Sequence, residues 1–232
     1  MTILSQQSQN RFQGKGLDTV VRDTTFYSDH VVFQVEKRLF KVPRRRFEEE
    51  SDIFRDMFAL PASGNNIEGT SDECPLLLEG IAECDFRALL HAMFTPQYRL
   101  SGEESKNLTS DGWTSVLKLA TMWNFTALRA IAIDNLTILL RTDPVQWISL
   151  ARTYDVREWL MPALLALARR SQPLQLHEAE VLGIATVVKM AEVRENYYQR
   201  FTGVGLNLGA HVDLEAEIKR VFREEVSSDS MS

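Results

Sequence analysis

The chain has 232 residues, of which 44% are apolar and 25% charged, and its formal net charge is −6. These values predict a globular protein with one domain and an extension, or two small domains. The negative net charge excludes a general nucleic-acid binder, which needs a basic face. Every apolar run falls well short of the ~20 residues that a membrane-spanning helix needs. Cys74 and Cys84 cannot build a disulfide framework, and the N-terminus does not resemble a secretory signal. A reducing compartment, either cytoplasm or nucleus, is therefore expected.

Residues 1–22 are polar, with scattered Gln, Ser and Gly, and predict a flexible N-terminal arm. The pattern changes within residues 29–42, where Val31, Phe33 and Val35 alternate with less apolar positions. Such alternation predicts a strand with one buried face. Residues 36–38 are expected to form a turn, and residues 39–42 to return as a second strand.

An arginine-rich and then glutamate-rich segment follows Pro43, which ends the strand and suits the first position of a helix. Opposite charges recur there at i, i+4 spacing, in the pairs Arg44–Glu48, Arg45–Glu49 and Arg46–Glu50. The pattern favours a helix whose charges neutralise each other locally. Two interpretations stay open for this segment: a solvated face, or a charged patch that contacts a partner. A second short amphipathic helix is predicted at residues 51–58.

A loop is predicted at residues 61–74, a short strand at 76–78, and a helix from Glu83 that Pro96 closes. Another loop is expected at residues 95–112, because it contains Ser101-Gly102 and Asp111-Gly112. Two helical stripes come next. The first consists of Trp113, Val116, Leu117, Ala120 and Trp123, and the second of Leu128, Ile131, Ala132 and Leu136.

Everything after Arg141 is predicted to be helical. Asp143 and Pro144 are typical of a helix start, and residues 155–158 resemble a capping box with Asp155 as the cap. Residues 176–198 are expected to form one long helix that is packed on two sides, because its apolar positions cover more than half of its circumference. The last helix has a single apolar stripe, which docks either on this chain or on a partner. That stripe consists of Leu214, Ile218, Val221 and Phe222.

The order of these elements carries a family resemblance. Two sequence motifs resemble those of a BTB/POZ domain of the group expanded in mushroom-type fungi. They are Ser-Asp-Ile-Phe-Arg-Asp-Met-Phe at residues 51–58 and Leu-Lys-Leu-Ala-Thr-Met-Trp at residues 117–123. The resemblance extends over residues 23–196. It implies an α+β BTB/POZ fold at residues 23–140, a C-terminal all-helical extension at 141–226, and a disordered tail at 227–232.

The resemblance also implies a function. BTB/POZ domains are protein-interaction modules; many homodimerise, and many bind a cullin scaffold so that a second domain presents substrates for ubiquitination. The chain is therefore expected to be a non-catalytic adaptor or scaffold that binds other proteins, such as a cullin, without cofactor, nucleic acid or membrane. The alternative is a transcriptional or chromatin regulator that acts through self-association, as a homodimer, or through corepressor docking.

Candidate partner contacts lie in and around the charged segment and the helix at residues 51–58. They are Arg44, Arg45, Phe47, Met57, Phe58, Phe94 and Tyr98. Met57 and Phe58 have two interpretations, as core residues or as the lining of a groove that receives an apolar side chain. The sequence supplies no catalytic motif, and Cys74, Cys84 and His91 lack the spacing and the fourth ligand of a structural zinc site.

Overall fold

The computed structural model describes residue 23 and residues 29–60, 68–95, 108–202 and 213–226. The predicted arm at residues 1–22, the tail at residues 227–232 and the candidate contact Tyr98 lie outside these residues. Within them the chain is a mixed α+β protein, mostly helical, with one three-stranded sheet.

The sheet has the strand order β2-β1-β3, with β1 at His30–Val35, β2 at Arg38–Pro43 and β3 at Leu76–Leu77. Strand β1 runs antiparallel to β2 and parallel to β3. The predicted hairpin is confirmed, but its turn is shorter than expected. Arg38 pairs with Val35, and only two residues form the turn, the first of which is Glu36 with φ 53°.

The prediction that β1 buries one face is wrong, because both faces of β1 are covered. Val31, Phe33 and Val35 contribute to the core, and Val32, which points to the opposite face, is buried as well. The N–H of Val32 donates to the carbonyl of Gly69 at 2.8 Å, so the segment before β3 lies beside it. On β2 the side chains alternate, with Phe40 half-buried and Leu39 exposed.

Five helices accompany the sheet in the described part of the chain before residue 140. They are α1 (Arg44–Glu50), α2 (Asp52–Ala59), α3 (Glu83–Phe94), α4 (Ser110–Met122) and α5 (Thr126–Leu139). The expected loop at residues 95–112 extends too far, because Asp111 and Gly112 lie in the first turn of α4. The Thr109 hydroxyl accepts a hydrogen bond from the Gly112 N–H at 3.2 Å and thereby caps this helix.

Six further helices make up the described extension. They are α6 (Pro144–Thr153), α7 (Leu160–Arg169), α8 (Leu176–Leu182), α9 (Ile184–Thr202), α10 (Leu214–Val221) and α11 (Arg223–Val226). The start of α6 is as predicted, with the Asp143 carboxylate accepting from the Gln146 N–H at 3.0 Å. The buried apolar side chains form one continuous cluster on both sides of residue 140.

Two predictions for the extension are wrong. Asp155 does not cap a helix, because its backbone has φ 49° and its carboxylate accepts from the Arg157 guanidinium instead. The single long helix at residues 176–198 is divided into α8 and α9 by Gly183, whose φ of 81° is incompatible with helical geometry.

The last predicted stripe docks on this chain. Leu214, Ile218 and Phe222 are buried, and α10 contacts both α7 and α9. Glu217 is buried beside them, where its carboxylate accepts hydrogen bonds from Asn196 at 2.8 Å and from Arg220 at 2.7 Å. Glu215 and Lys219, at the favourable i, i+4 spacing, form an ion pair at 2.7 Å.

A cluster of buried aromatic rings joins the sheet to the helices that follow it. The ring of Phe54 on α2 lies 5.0 Å from that of Phe47 on α1, 5.8 Å from that of Phe33 on β1 and 5.3 Å from that of Trp123 after α4. We call this set, together with Phe86 and Phe125, the aromatic cluster. Most of its pairs meet edge to face, the geometry that adds to burial energy.

Replacement of Phe54 by Ala tests the role of the aromatic cluster. We expect the free energy of unfolding to fall by about 3–5 kcal/mol, because the cavity removes contacts to several rings at once. The neighbouring Ile53→Ala substitution, on the exposed side of α2, should change it by no more than about 0.5 kcal/mol. Urea unfolding followed by circular dichroism measures both values, and equal losses in the two variants would contradict the assigned packing.

The link between α7 and α8 is held by a charged pair. The Arg170 guanidinium donates to both carboxylate oxygens of Glu178, at 2.6 and 2.7 Å, and the Gln175 N–H donates to the same carboxylate at 2.7 Å. The hydrogen bond from Arg170, opposed in part by burial, lowers the pKa of Glu178 to about 2. Arg194 on α9 also stabilises this link, because it donates to the Arg170 carbonyl at 2.6 Å.

The lowered pKa makes this contribution dependent on pH. In the unfolded chain Glu178 titrates near its ordinary value of about 4.3, so the stabilisation is complete above that pH and is lost as the pH falls towards 2. Glu178→Gln should lower the free energy of unfolding by about 1.5–3 kcal/mol at pH 7, with a smaller difference at pH 3. Urea titrations at both pH values measure this, with Glu180→Gln as the exposed control. A difference that does not shrink at pH 3 would contradict the mechanism.

Candidate protein-interaction surface

An apolar stripe lies on the outer face of α2. Ile53 and Leu60 are 45% and 70% exposed, and the half-buried Met57 lies between them at helical spacing. Phe54 faces the core and belongs to the aromatic cluster. We call Ile53, Met57 and Leu60 the α2 stripe. Ile53 and Leu60, the residue that follows the last turn of α2, are exposed, whereas Met57 packs partly against the core.

The start of α2 is fixed by a buried serine. The Ser51 hydroxyl accepts from the Phe54 N–H at 3.2 Å, which satisfies one free donor of the first turn. The same hydroxyl donates to the Trp123 carbonyl at 2.6 Å, so α2 begins at a set position on the link between α4 and α5. The α2 stripe is therefore displayed on a rigid support.

The end of α2 is held by Arg44. Its guanidinium donates to the Phe58 carbonyl at 3.1 Å and to Glu48 at 2.7 Å, and its central carbon lies 4.4 Å from the centroid of the Phe58 ring. A cation at the carboxyl end of a helix satisfies a free carbonyl and interacts favourably with the helix dipole. Arg44 and Phe58 thus form one unit at the edge of the α2 stripe.

The three predicted ion pairs of α1 are confirmed, at 2.7, 2.6 and 2.7 Å. Arginines at the amino end of α1 oppose its own helix dipole, and the contacts of two of them explain their position. Arg44 donates to the Phe58 carbonyl at the end of α2. Arg46 donates to the Met93 carbonyl at 2.7 Å, at the end of α3. Arg45 is exposed, and among the described residues its ion pair is with Glu49. The charged segment of α1 therefore supports neighbouring helices through Arg44 and Arg46, and is solvated at Arg45.

The structure brings some of the predicted contact residues together and separates others. Arg44, Met57 and Phe58 lie together at the end of α2. Arg45 is exposed on α1, and the half-buried Phe94 ends α3 beside the carbonyl that Arg46 holds.

The prediction for Phe47 as a contact residue is wrong. Phe47 is fully buried in the aromatic cluster and reaches no surface. Two residues of the surface were missed, Ile53 and Leu60. The spacing of Ile53, Met57 and Leu60 at i, i+4 and i+7 was the signal that could have found them.

A second feature is a cleft of about 640 Å³ between the hairpin turn, α3 and the start of α4. Its lining includes Glu36, Glu83, Cys84, Arg87, His91 and Gly112. Glu83 is held between Arg87 at 2.6 Å and Arg38 at 2.9 Å, and the hydrogen bond from Arg87 lowers the pKa of its carboxyl group. The carboxylate is therefore neutralised by two guanidinium groups.

The neighbouring Asp85 joins α3 to α4. Burial opposes its ionisation, but hydrogen bonds from Lys118 at 2.7 Å and from Ser115 at 2.6 Å outweigh burial and lower its pKa. Asp85 is thus a charged structural residue. Among the residues that the structure describes, no three His, Cys, Asp or Glu side chains lie close enough to hold a metal ion.

Arg44 and Arg45 provide a matched test of the contacts that the arginines of α1 make. Arg44→Gln should lower the free energy of unfolding by about 1–2 kcal/mol, because it removes a charged hydrogen bond and the contact with Phe58. Arg45→Gln removes one exposed ion pair and should change it by no more than about 0.5 kcal/mol. Hydrogen exchange should also become faster at the last-turn amides of α2 in the Arg44 variant alone. Equal exchange in both variants would remove the assigned role of Arg44.

We call the α2 stripe together with Arg44 and Phe58 the α2 surface. Exposed apolar side chains bordered by arginine and an aromatic ring have the composition of interface hot spots. No helix in the described part of the chain has the length and apolarity needed to cross a membrane. Comparison with models of known protein families and with curated proteins finds no match to this chain.

Proposed function

We propose that the chain is a BTB/POZ-type adaptor or scaffold that binds other proteins without catalysis, and that the α2 surface is one of its docking surfaces. The α2 stripe is the observation that carries this proposal. Its three apolar residues are exposed or half-buried along a helix, and just after it, whose position is fixed by Ser51, Phe54 and Arg44. Such a pre-organised surface loses little conformational entropy on binding.

The order of elements supports the BTB/POZ assignment. A strand pair, a basic helix, a second short helix, a short strand, a longer helix and a helix pair follow one another as β1, β2, α1, α2, β3, α3, α4 and α5. The sequence resemblance rests on the same order of elements. The motifs at residues 51–58 and 117–123 support the same family. The helical extension, from α6 to α11, continues the core and offers a second region for binding.

A cullin scaffold is the first partner to test, because the resemblance implies it. The α2 surface combines an apolar centre with charged neighbours, a pattern in which burial of the centre supplies affinity and the rim supplies selectivity. On this proposal the partner is a protein and not a nucleic acid, and the complex forms in the cytoplasm or nucleus.

Binding to the host's cullins tests the proposal. The wild-type chain should be retained by an immobilised cullin at micromolar concentration. A double Ile53→Glu, Leu60→Glu variant should bind at least about tenfold more weakly, because charges on the α2 stripe would be desolvated in the complex. Both positions are exposed, so the variant should keep its circular dichroism spectrum.

Ile138→Glu is the control, since Ile138 is 66% exposed on α5 and lies outside the α2 surface. Its binding should equal that of the wild type. No retention of the wild-type chain above bead background would remove the cullin adaptor role. Equal binding by all three proteins would place the cullin contact elsewhere than α2. Light scattering on the same samples gives the mass and tests the homodimer expected of many relatives.

A further inference from the structure

The last two described helices, α10 and α11, pack against the helices before them through one apolar seam. The seam consists of Leu214, Ile218 and Phe222, all of them buried. Helix α10 contacts both α7 and α9, and α11 contacts α7. Residues 203–212, whose sequence contains three glycines, join α9 to α10 and lie outside the described residues. The two helices therefore lie along a groove between α7 and α9, which we call the α10 groove.

The contacts between α10 and α9 define the direction in which the groove holds a helix. The Glu217 carboxylate accepts from Asn196 at 2.8 Å, and one turn later Arg220 donates to Glu192 at 2.6 Å. Residue numbers thus rise along α10 as they fall along α9, so the two helices run in opposite directions. Val193, between these two positions of α9, is fully buried. The face of α9 that contains these three residues is one wall of the α10 groove.

Two cations mark the far end of the α10 groove. The Arg152 guanidinium on α6 donates to one oxygen of the Glu225 carboxylate, at 2.7 and 3.0 Å, and the Lys189 ammonium lies 3.5 Å from the same carboxylate. The Lys189 ammonium also lies 5.4 Å from the centroid of the Phe222 ring, a cation–π distance. This end of the groove therefore recognises an aromatic ring followed three residues later by a carboxylate.

The packing of α10 is selective, but it is not built for high stability. Glu217 is 5% exposed and lies within the interface, where Asn196 and Arg220 donate to it. A carboxylate loses its hydration when it is buried, so such a pair stabilises packing less than an apolar side chain does. Helices of eight and four residues are also unstable by themselves. We therefore expect α10 and α11 to undock at a lower free energy than that of unfolding the whole chain.

The walls of the α10 groove are held together by contacts that do not involve α10. Helix α6 contacts α7 and α8, and α9 contacts α7 and α8. The Arg170–Glu178 pair holds the link between α7 and α8, and Arg194 on α9 donates to the Arg170 carbonyl. Undocking of α10 would therefore expose the groove and leave its walls in place.

We propose that the α10 groove is a binding site for a helix of a partner protein, and that α10 and α11 occupy it as an exchangeable internal ligand. The partner helix has apolar residues at the positions of Leu214, Ile218 and Phe222 and a carboxylate at that of Glu225, the spacing i, i+4, i+8 and i+11. Such a helix fits because the groove already holds one with this pattern. The site is separate from the α2 surface, and the inference does not depend on cullin binding.

Hydrogen exchange on the wild-type chain gives the first test. The amides of α10 should exchange through local opening, at least about tenfold faster than the buried amides of α6 and α7. Equal exchange in α10 and α7 would mean that α10 leaves only when the extension unfolds, and this result would overturn the inference.

A labelled peptide with the sequence of residues 213–226 tests the groove on the full-length protein. Its apparent affinity is proportional to the fraction of molecules in which α10 is undocked. The Phe222→Ser variant has a weakened internal helix, so it should bind the peptide at least about tenfold more tightly than the wild type in fluorescence anisotropy. Lys219→Gln changes an exposed residue of α10 and is the matched control. Its binding should stay within about twofold of the wild type.

Changed peptides test the chemistry of recognition against the Phe222→Ser protein. A peptide with Ile218→Ser should bind at least about tenfold more weakly, because it loses the centre of the seam. A peptide with Glu225→Gln should bind at least about fivefold more weakly, because it loses the charged contact with Arg152 and Lys189. Its binding should also depend less on salt than that of the unchanged peptide.

Four outcomes would overturn the inference in these experiments. The first two are no binding of the unchanged peptide to the Phe222→Ser protein, and equal binding by that protein and the wild type. The third is a loss of circular dichroism in Phe222→Ser larger than α10 and α11 account for, which would make α10 part of the core. The fourth is a wild-type dimer in light scattering that this variant abolishes, which would place a second copy's helix in the groove. The cullin experiment is unaffected by each, because it uses the α2 stripe.

Discussion

The packing of Phe54 against the rings of Phe33, Phe47, Trp123 and Phe125 is the constraint on which the N-terminal half of this protein depends. It joins the central strand to two short helices and to the link between α4 and α5. Helices of seven and eight residues are unstable alone, since nucleation is unfavourable and few hydrogen bonds follow it. They persist here because each places a ring in a common buried cluster.

The same constraint generates the α2 surface. Once Phe54 faces the core and Ser51 fixes the first turn, Ile53 and Leu60 are left exposed, with the half-buried Met57 between them. Arg44 and Arg46 then stabilise the ends of α2 and α3 at the expense of the dipole of α1. The charge pattern of α1, which is unfavourable for an isolated helix, is therefore explained by its neighbours. Exposed ion pairs contribute little by themselves, whereas a cation at a helix end fixes geometry.

The extension follows a different principle, in which charged pairs hold helices that apolar contacts bring together. Arg152 on α6 donates to Glu225 at 2.7 Å and to Thr186 at 2.9 Å, and so links α6 to α9 and α11. Arg170, Glu178 and Arg194 hold the link before α8.

Much of the secondary structure followed from the sequence alone. The hairpin, the helix starts at Pro43 and Asp143, and the ion pairs of α1 and α10 depend on residues within a few positions of each other, so local pattern was sufficient. The general location of the α2 surface was predicted for the same reason, because Met57 and Phe58 belong to an amphipathic helix.

Only the tertiary structure decided which apolar face is covered. Phe47 and Met57 both lie on short helices, but the first is fully buried against strand β1 and the second is only half-buried. Gly183 is compatible with a helix or with a break, and the packing of α8 and α9 selects the break. Val188 fits a two-sided core equally well, yet the described helices leave it 61% exposed. Local pattern determines which residues share a face, whereas the burial of that face depends on elements that are distant in sequence.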